Sequence, residues 1–315
     1  MKITAPVRLS SEAESLIEAG ARELYVGYAP KAWTKLYGNV GSPNRRYFKE
    51  TSVNEEKDLK RTIEIAHSRD VPVFLAVNTP YYINDQRKPV LEQFRLGMKF
   101  GVDAFIVSDL AAMLMLKKQY PHSNLIVSGV STVFNSKTAQ FYKDLGAKRI
   151  ILPRQLTIKE VEGIVKNVDG IEYETFMLFD WCKNIDGFCT FHHGVEDLIG
   201  AQHGCTYLDK YNVIKGADNP GRISANQKMH SLKFNMFCAA CMLYDLNRIG
   251  LNSVKIAGRS FPIEIRLKGT TFIDWCIKLA QRSKSREDYI EKAQELYSDH
   301  FDRRCSRKNC NVLMI

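Results

Sequence analysis

Apolar residues recur along this chain in two alternating rhythms. Short β-branched runs predict strands near Lys2–Thr4, Glu23–Gly27, Val73–Asn78, Ala104–Ser108, Leu125–Ser128, Arg149–Leu152, Ile171–Met177 and Ser253–Ala257. Between most of them the apolar positions step by three and four, the period of a helix with one buried face. Ser11-Glu12-Ala13-Glu14 opens one such stretch with a capping signal, placing Leu16, Ile17 and Ala21 on its apolar side. From about Val53 to Ser68 a second carries Leu59, Ile63 and Ala66. Further helices are predicted near Val90–Phe100, Leu110–Gln119, Ser136–Leu145 and Ile158–Lys166. Eight β-then-α units predict an α/β fold, a TIM-like (β/α)8 barrel with a mainly parallel closed sheet. No glycine-rich dinucleotide or phosphate fingerprint follows an early strand, which weighs against an open doubly wound sheet.

Two connections break the rhythm. Tyr28 to Thr51 holds Gly38, Gly41 and Pro43, with Lys31, Lys35, Arg45, Arg46 and Lys49 interleaved with Trp33, Tyr37, Tyr47 and Phe48. The longer break, roughly residues 178–251, separates strands seven and eight and holds five of the eight cysteines. In a barrel both emerge on the C-terminal face, where active sites sit. The predicted organisation is one barrel domain over 1–285 that includes the insertion 178–251, then a C-terminal helix and basic tail over 286–315.

Composition supports a folded chain with a sizeable core: 45% of its 315 residues are hydrophobic and 25% charged. The formal charge of +10 favours acidic partners such as RNA, nucleotides or phosphorylated small molecules, or reflects a generally basic surface. The N-terminus lacks a basic segment followed by an apolar one, and no window approaches the ~20 apolar residues of a membrane span. A cytoplasmic location is therefore expected, where clustered cysteines point to metal or redox chemistry rather than disulfides.

The insertion cysteines are Cys182, Cys189, Cys205, Cys238 and Cys241, and only the last two form a tight CxxC knuckle. Iron–sulfur clusters accept thiolates from well-separated loops, so iron–sulfur and zinc both remain open, beside buried inert thiols. His192, His193 and His203 share the insertion as further candidate ligands. Cys276 lies in an apolar helix and reads as core; Cys305 and Cys310 read as thiols on the tail or as neighbours of the cluster region.

Several segments, in order, carry a resemblance: Val127-Ser128-Gly129-Val130-Ser131-Thr132-Val133-Phe134-Asn135, Leu145-Gly146-Ala147, Ile151-Leu152-Pro153-Arg154-Gln155-Leu156-Thr157, the cysteines above, and Val254-Lys255-Ile256-Ala257-Gly258-Arg259. The chain resembles the collagenase-like "peptidase family U thirty-two". The resemblance implies a barrel-like α/β core and a [4Fe–4S] cluster held by four cysteines. It also implies a role in oxygen-independent hydroxylation of ubiquinone precursors or RNA bases, so the expected partner is a small aromatic or RNA substrate. Cys182, Cys189 and Cys205 match the first three cluster ligands. Counting back from Lys255 favours Cys238 as the fourth, with Cys241 in reserve. Val133 stands where the family commonly has Gln, and Ala257 where it commonly has Glu.

Lys255, Arg259, Arg154 and Asp109 are the candidate catalytic or substrate-binding residues, with Asn78 beside them, since all are expected at strand ends around the barrel mouth. Lys255 and Arg259 would hold an anionic substrate group, or else bridge to carboxylates at the rim. Asp109 would face the mouth, or else cap the helix that follows it. Proteolysis has little local support, because no HExxH, G-x-S-x-G or nucleophile–base pair is evident. A non-catalytic, metal-stabilised adaptor paired with a second family member is the remaining alternative. The oxygen and electron donors are not legible in these residues.

Overall fold

A computed structural model describes residues 1–37, 43–44, 52–179, 185–188, 237–306 and 310, with backbone alone at positions 31 and 34. Eight strands close a parallel barrel in sequence order. They are β1 (Lys2–Val7), β2 (Glu23–Gly27), β3 (Val73–Val77), β4 (Ala104–Val107), β5 (Leu125–Val127), β6 (Ala147–Leu152), β7 (Glu172–Leu178) and β8 (Ser253–Ile256). The β1–β8 pairing, with Thr4 opposite Lys255, completes the circle. The predicted (β/α)8 barrel is thus the observed one, and each expected strand is present to within a few residues.

Helices α1 (Ala13–Glu18), α2 (Lys31–Tyr37), α3 (Glu56–His67), α4 (Arg87–Phe100), α5 (Leu110–Gln119), α6 (Ser136–Asp144) and α7 (Ile158–Asn167) fall in the connections between strands. After the insertion come α8 (Leu243–Ile249), α9 (Ile263–Arg282) and α10 (Arg286–Phe301). Local chemistry fixes their starts. Thr157 and Glu160 form a reciprocal capping box on α7, and the Asn135 side chain accepts from Thr138 N at 3.0 Å on α6. The helical period then does the packing: α3 buries Leu59, Thr62, Ile63 and Ala66. Among the described residues no helix is long and apolar enough to cross a membrane. Helices α2 and α8 were not expected, because each lies in a segment whose periodicity is broken by glycine, proline or charge.

Strand alternation divides the interior in two. Ile3, Val26, Leu75, Val107, Val127, Ile150 and Val254 face the helices and build the main core. Tyr25, Phe74, Ala104, Ile106, Ile126 and Ile151 face the barrel axis, with Phe176 packed against them.

The lower part of the axis is ionic rather than apolar. Arg149 grips Glu23 through two parallel bonds of 2.6 and 2.7 Å, reaches Glu174 at 3.1 Å and Glu172 at 2.5 Å. Thr4 donates to Glu23 at 2.8 Å, and Lys255 to Glu174 at 3.1 Å. Three carboxylates therefore meet Arg149, Lys255 and, from the rim, Lys2. Burial pushes the Glu23 carboxyl up, yet the hydrogen bonds and charge of Arg149 outweigh it and hold the group below its ordinary value. A second buried pair ties α9 to the barrel. Fully buried Arg266 donates to both Glu12 carboxylate oxygens, to Pro6 O at 2.9 Å and to Phe261 O at 3.0 Å.

Two outcomes are expected. Arg149→Met should destabilise the chain by about 3–5 kcal/mol, because it takes the guanidinium from buried Glu23 and leaves Lys255 alone to offset Glu174; urea denaturation measures this, and a loss under ~1 kcal/mol would show the network to be dispensable. Glu12 and Glu23 both have depressed carboxyl pKa values, Glu12 because Arg266 and backbone N–H groups overcome the upward push of burial. Their stabilisation is complete above the unfolded carboxylate range near pH ~4.3 and is lost as pH falls through the lower folded values. Melting temperature should accordingly drop between pH 5 and pH 3, with a shallower slope in Glu12→Gln.

Candidate active site

The mouth of the barrel grows out of the same alternation. Val77, Val107 and Val127 pair in register and point outward, so the next residues, Asn78, Ser108 and Ser128, turn towards the axis. Asn78 Nδ2 donates to Ser128 Oγ at 3.2 Å, spanning β4 from above. Ser108 and Ser128 are buried. Asn78 Oδ1 and Ser108 Oγ are also buried and have no hydrogen-bond partner among the described residues. Such orphans are rare and costly; these two follow the ends of β3 and β4, while buried Gln93 on α4 carries two more.

Phe176, from β7, lies across the mouth to the end of β5. A Cβ at Gly129 would stand 2.9 Å from the Phe176 ring, so glycine is what allows the crossing. Arg154, just past β6, stacks on that ring with its guanidinium carbon 4.3 Å from the centroid. Asp186 holds Arg154 Nε at 3.0 Å and its backbone N at 3.2 Å. The Arg154 side chain is 8% exposed, and its Nη1 is buried without a hydrogen-bond partner among the described residues. On the opposite rim Arg259 is buried, and its Nη2 donates to Asn44 O at 3.3 Å and Oδ1 at 3.2 Å. Its Nη1 lies only 1.9 Å from where a Cβ at Gly27 would be, so a side chain there would displace the guanidinium.

Of the residues expected here, Arg154, Arg259 and Asn78 stand at the mouth. Lys255 does not. It lies within β8 below the mouth, its ammonium fixed by Glu174 and seated 3.7 Å from the Tyr25 ring centroid. Burial pulls its pKa below the ordinary lysine value, with Glu174 opposing. The reading of Lys255 as an anion holder is corrected: its charge is spent inside the barrel. Asp109 is corrected likewise. Its carboxylate accepts from Ala112 N at 2.7 Å as the N-cap of α5. Trp33, one of the aromatics of the basic connection, is buried and packs its ring against Tyr37 and Tyr82 rather than offering a stacking face. Val133 and Ala257 are both buried.

Ser108, Ser128, Phe176 and Asp186 were missed. The first two were legible by carrying the in–out alternation one step past each strand; Phe176 and Asp186 are brought in only by the fold.

Cys182, Cys189, Cys205 and the three insertion histidines lie outside the described residues, as does most of the stretch between β7 and α8. Cys238 is described, in a turn on the mouth-bearing end of β7. Its backbone bridges Leu178 on one side and Cys310 on the other, and Ala239 N donates to Met177 O at 2.9 Å. Cys241 follows in the 3-10 turn Ala240–Met242 just before α8, and Cys305 stands near both. The tail cysteines thus join the Cys238 region. Desolvation pushes the Cys238 thiol well up and that of Cys241 to about 11. Cys276 is core, fully buried in α9. Among the described residues no three His, Cys, Asp or Glu side chains are arranged to hold a metal ion. A concavity of about 610 Å³ opens on the opposite, N-terminal face, lined by Lys2, Glu23, Asp103, Arg149 and Glu172. Lys2, Glu23, Arg149 and Glu172 pair with one another there, as suits the face that carries stability rather than chemistry.

Comparison with known proteins bears on both halves of this picture. A model of Peptidase family U32 matches residues 10–311. The chain is similar to tRNA hydroxylation protein P of Escherichia coli (strain K12), 26% identical over 184 residues, covering 57% of this chain and 40% of that protein. It is similar to tRNA hydroxylation protein P2 of Bacillus subtilis (strain 168), 25% identical over 259 residues, with 76% and 80% covered. A third relative, the 23S rRNA 5-hydroxycytidine C2501 synthase of Escherichia coli (strain K12), is 24% identical over 259 residues, with 82% and 36% covered. The matched stretch spans less than half the length of the first and third of these proteins. Because the family match runs from before α1 to the tail cysteines, the chain belongs to peptidase family U32.

Proposed function

We propose that this chain is an iron–sulfur enzyme that supports oxygen-independent hydroxylation of an RNA base at the mouth of its barrel. The observation that carries the reading is a polar mouth with unpaired buried hydrogen-bonding atoms, in a family whose similar members are named for tRNA and rRNA hydroxylation. The net charge of +10 suits a phosphodiester partner. Cys182, Cys189, Cys205 and Cys238 are the proposed ligands of a [4Fe–4S] cluster, with Cys241 in reserve and zinc as the alternative metal. Cys238 fits: it is a half-buried thiol outside any disulfide, on the end of the barrel that bears the mouth. A cluster bound there supplies single electrons.

The chain's own residues do the rest. Arg154 is held flat by Phe176 and Asp186 and presents Nη1 to a carbonyl or an anionic oxygen. Arg259 and Asn44 close the far rim. A second family member as a partner subunit belongs to the same proposal, as does an external electron donor. Hydrolysis gains no local support: His67 and His300, the described histidines in hydrogen bonds, bond Asp103 and the Lys268 carbonyl on the outer surface.

Protein purified without oxygen should be brown and carry about four irons per chain. Cys205→Ala should bleach it while Cys276→Ala leaves it coloured; colourless protein carrying zinc would overturn the redox reading. Deleting the gene should remove one hydroxylated nucleoside from cellular RNA, read by mass spectrometry of nucleoside digests, and Arg154→Ala should restore at most a small fraction of it. Unchanged RNA would exclude an RNA substrate.

A further inference from the structure

Six residues separate Cys182 from Cys189, and four of them, Ile185-Asp186-Gly187-Phe188, form a turn in which Phe188 N donates to Ile185 O at 3.1 Å. Apolar burial does not hold this turn in place, since Ile185 and Phe188 are 51% and 66% exposed. What holds it is directional. Buried Asp186 accepts through Oδ2 from Arg154 Nε at 3.0 Å and from Arg154 N at 3.2 Å, and its own N donates to Gln155 Oε1 at 3.4 Å. Gly187, at a φ of 88°, lies flush on the chain that follows β5: a Cβ there would stand 2.5 Å from Val130 O and 2.3 Å from Thr132 Cγ2. The Phe188 ring stacks on Phe134, with 6.2 Å between centroids and 22° between planes. An ion pair withdrawn from water adds little net stability, so its main effect here is to fix one geometry.

That geometry is passed along the chain. Phe188 is bonded directly to Cys189, and Ile185 is three residues from Cys182, a reach of about 11 Å at most. On the other side Phe179, three residues before Cys182, donates its N to Phe237 O at 2.9 Å, next to Cys238. Anchors on both sides of Cys182 are thus fixed at the mouth-bearing end of the barrel. We propose that Asp186 and Arg154 form a positioning clamp, which seats the Ile185–Phe188 turn so that the chain on its two sides offers Cys182 and Cys189 to one metal centre. The clamp rests on the reading of Cys182 and Cys189 as metal ligands and deepens it; Asp186 itself touches no metal.

The test is anaerobic reconstitution of the full chain with ferrous iron and sulfide, and in parallel with zinc, followed by release of the metal to a chelator. Asp186→Ala should release metal roughly tenfold faster than wild type or more, the scale seen when groups that orient metal ligands are removed. Asp186→Asn keeps an oxygen for Arg154 and should fall between the two. Glu12→Gln weakens a buried ion pair elsewhere in the barrel; it should lower the melting temperature yet release metal at the wild-type rate. If Asp186→Ala does not fold, Phe188→Ala, which truncates an exposed ring beside Cys189, should also speed release. Wild-type release rates in the turn variants, or equal acceleration in Glu12→Gln, would overturn the clamp alone. A wild type that takes up neither iron nor zinc would overturn the metal reading and the clamp with it.

Discussion

The clamp of Arg149 on Glu23, Glu172 and Glu174 is the interaction around which the barrel is arranged. Most small parallel barrels fill their axis with branched apolar layers. Here a guanidinium fills the lower axis and satisfies carboxylates from β2 and β7 at once. Burying that much charge is costly unless every group is paired, so the pairing restricts strand register as well as composition. Glu23, Arg149 and Glu174 must all face inward, and a slip of one residue on any of these strands would expose a charge to the helix layer.

With the lower axis fixed, the layers above follow by alternation. Two residues up from Glu23 and Glu174 come Tyr25 and Phe176; two residues up from Phe74 come Ala76 and then Asn78. The barrel is thus graded along its axis, from ionic to aromatic to uncharged polar. Lys255 joins the grade as a fixed cation between Glu174 and the Tyr25 ring, which explains how a lysine at the end of a strand is withdrawn from the mouth. Glycines at positions 27 and 129 leave room for Arg259 and Phe176, so the upper rim owes its shape to missing side chains as much as to present ones.

The cysteines occupy the same end by a different route. The chain re-enters the described structure at Phe237, whose carbonyl accepts from Phe179 N at 2.9 Å, and Cys238 then bridges the end of β7 and the tail at Cys310. A segment that leaves β7 and returns beside it must begin and end on the C-terminal face, so thiols carried at its end lie on the side of the mouth. The basic, aromatic connection after β2 is less open than its composition suggests, because Trp33 turns inward and helix α2 orders part of it.

The sequence by itself determined the barrel. Eight short β-branched runs, separated by stretches with period 3.6, leave few other ways to bury both sets of apolar faces, and caps such as Thr157 with Glu160 mark helix starts locally. It also placed Arg154, Arg259 and Asn78 near strand ends, because position along a strand sets height along the axis. Only the tertiary structure decided what those side chains face. Lys255 and Arg259 are four residues apart and alike in charge, yet one is buried against Glu174, 81 residues away, and the other meets Asn44, 215 residues away. Asp109 was settled by a backbone N–H three residues on, a competition between cap and mouth that composition cannot rank. Phe176 and Arg154 become one stacked unit only because β6 and β7 are neighbours and residue 129 has no side chain. Periodicity is a local property and survives in the sequence; which charges pair across a closed sheet depends on register and closure, and these exist only once the barrel has formed.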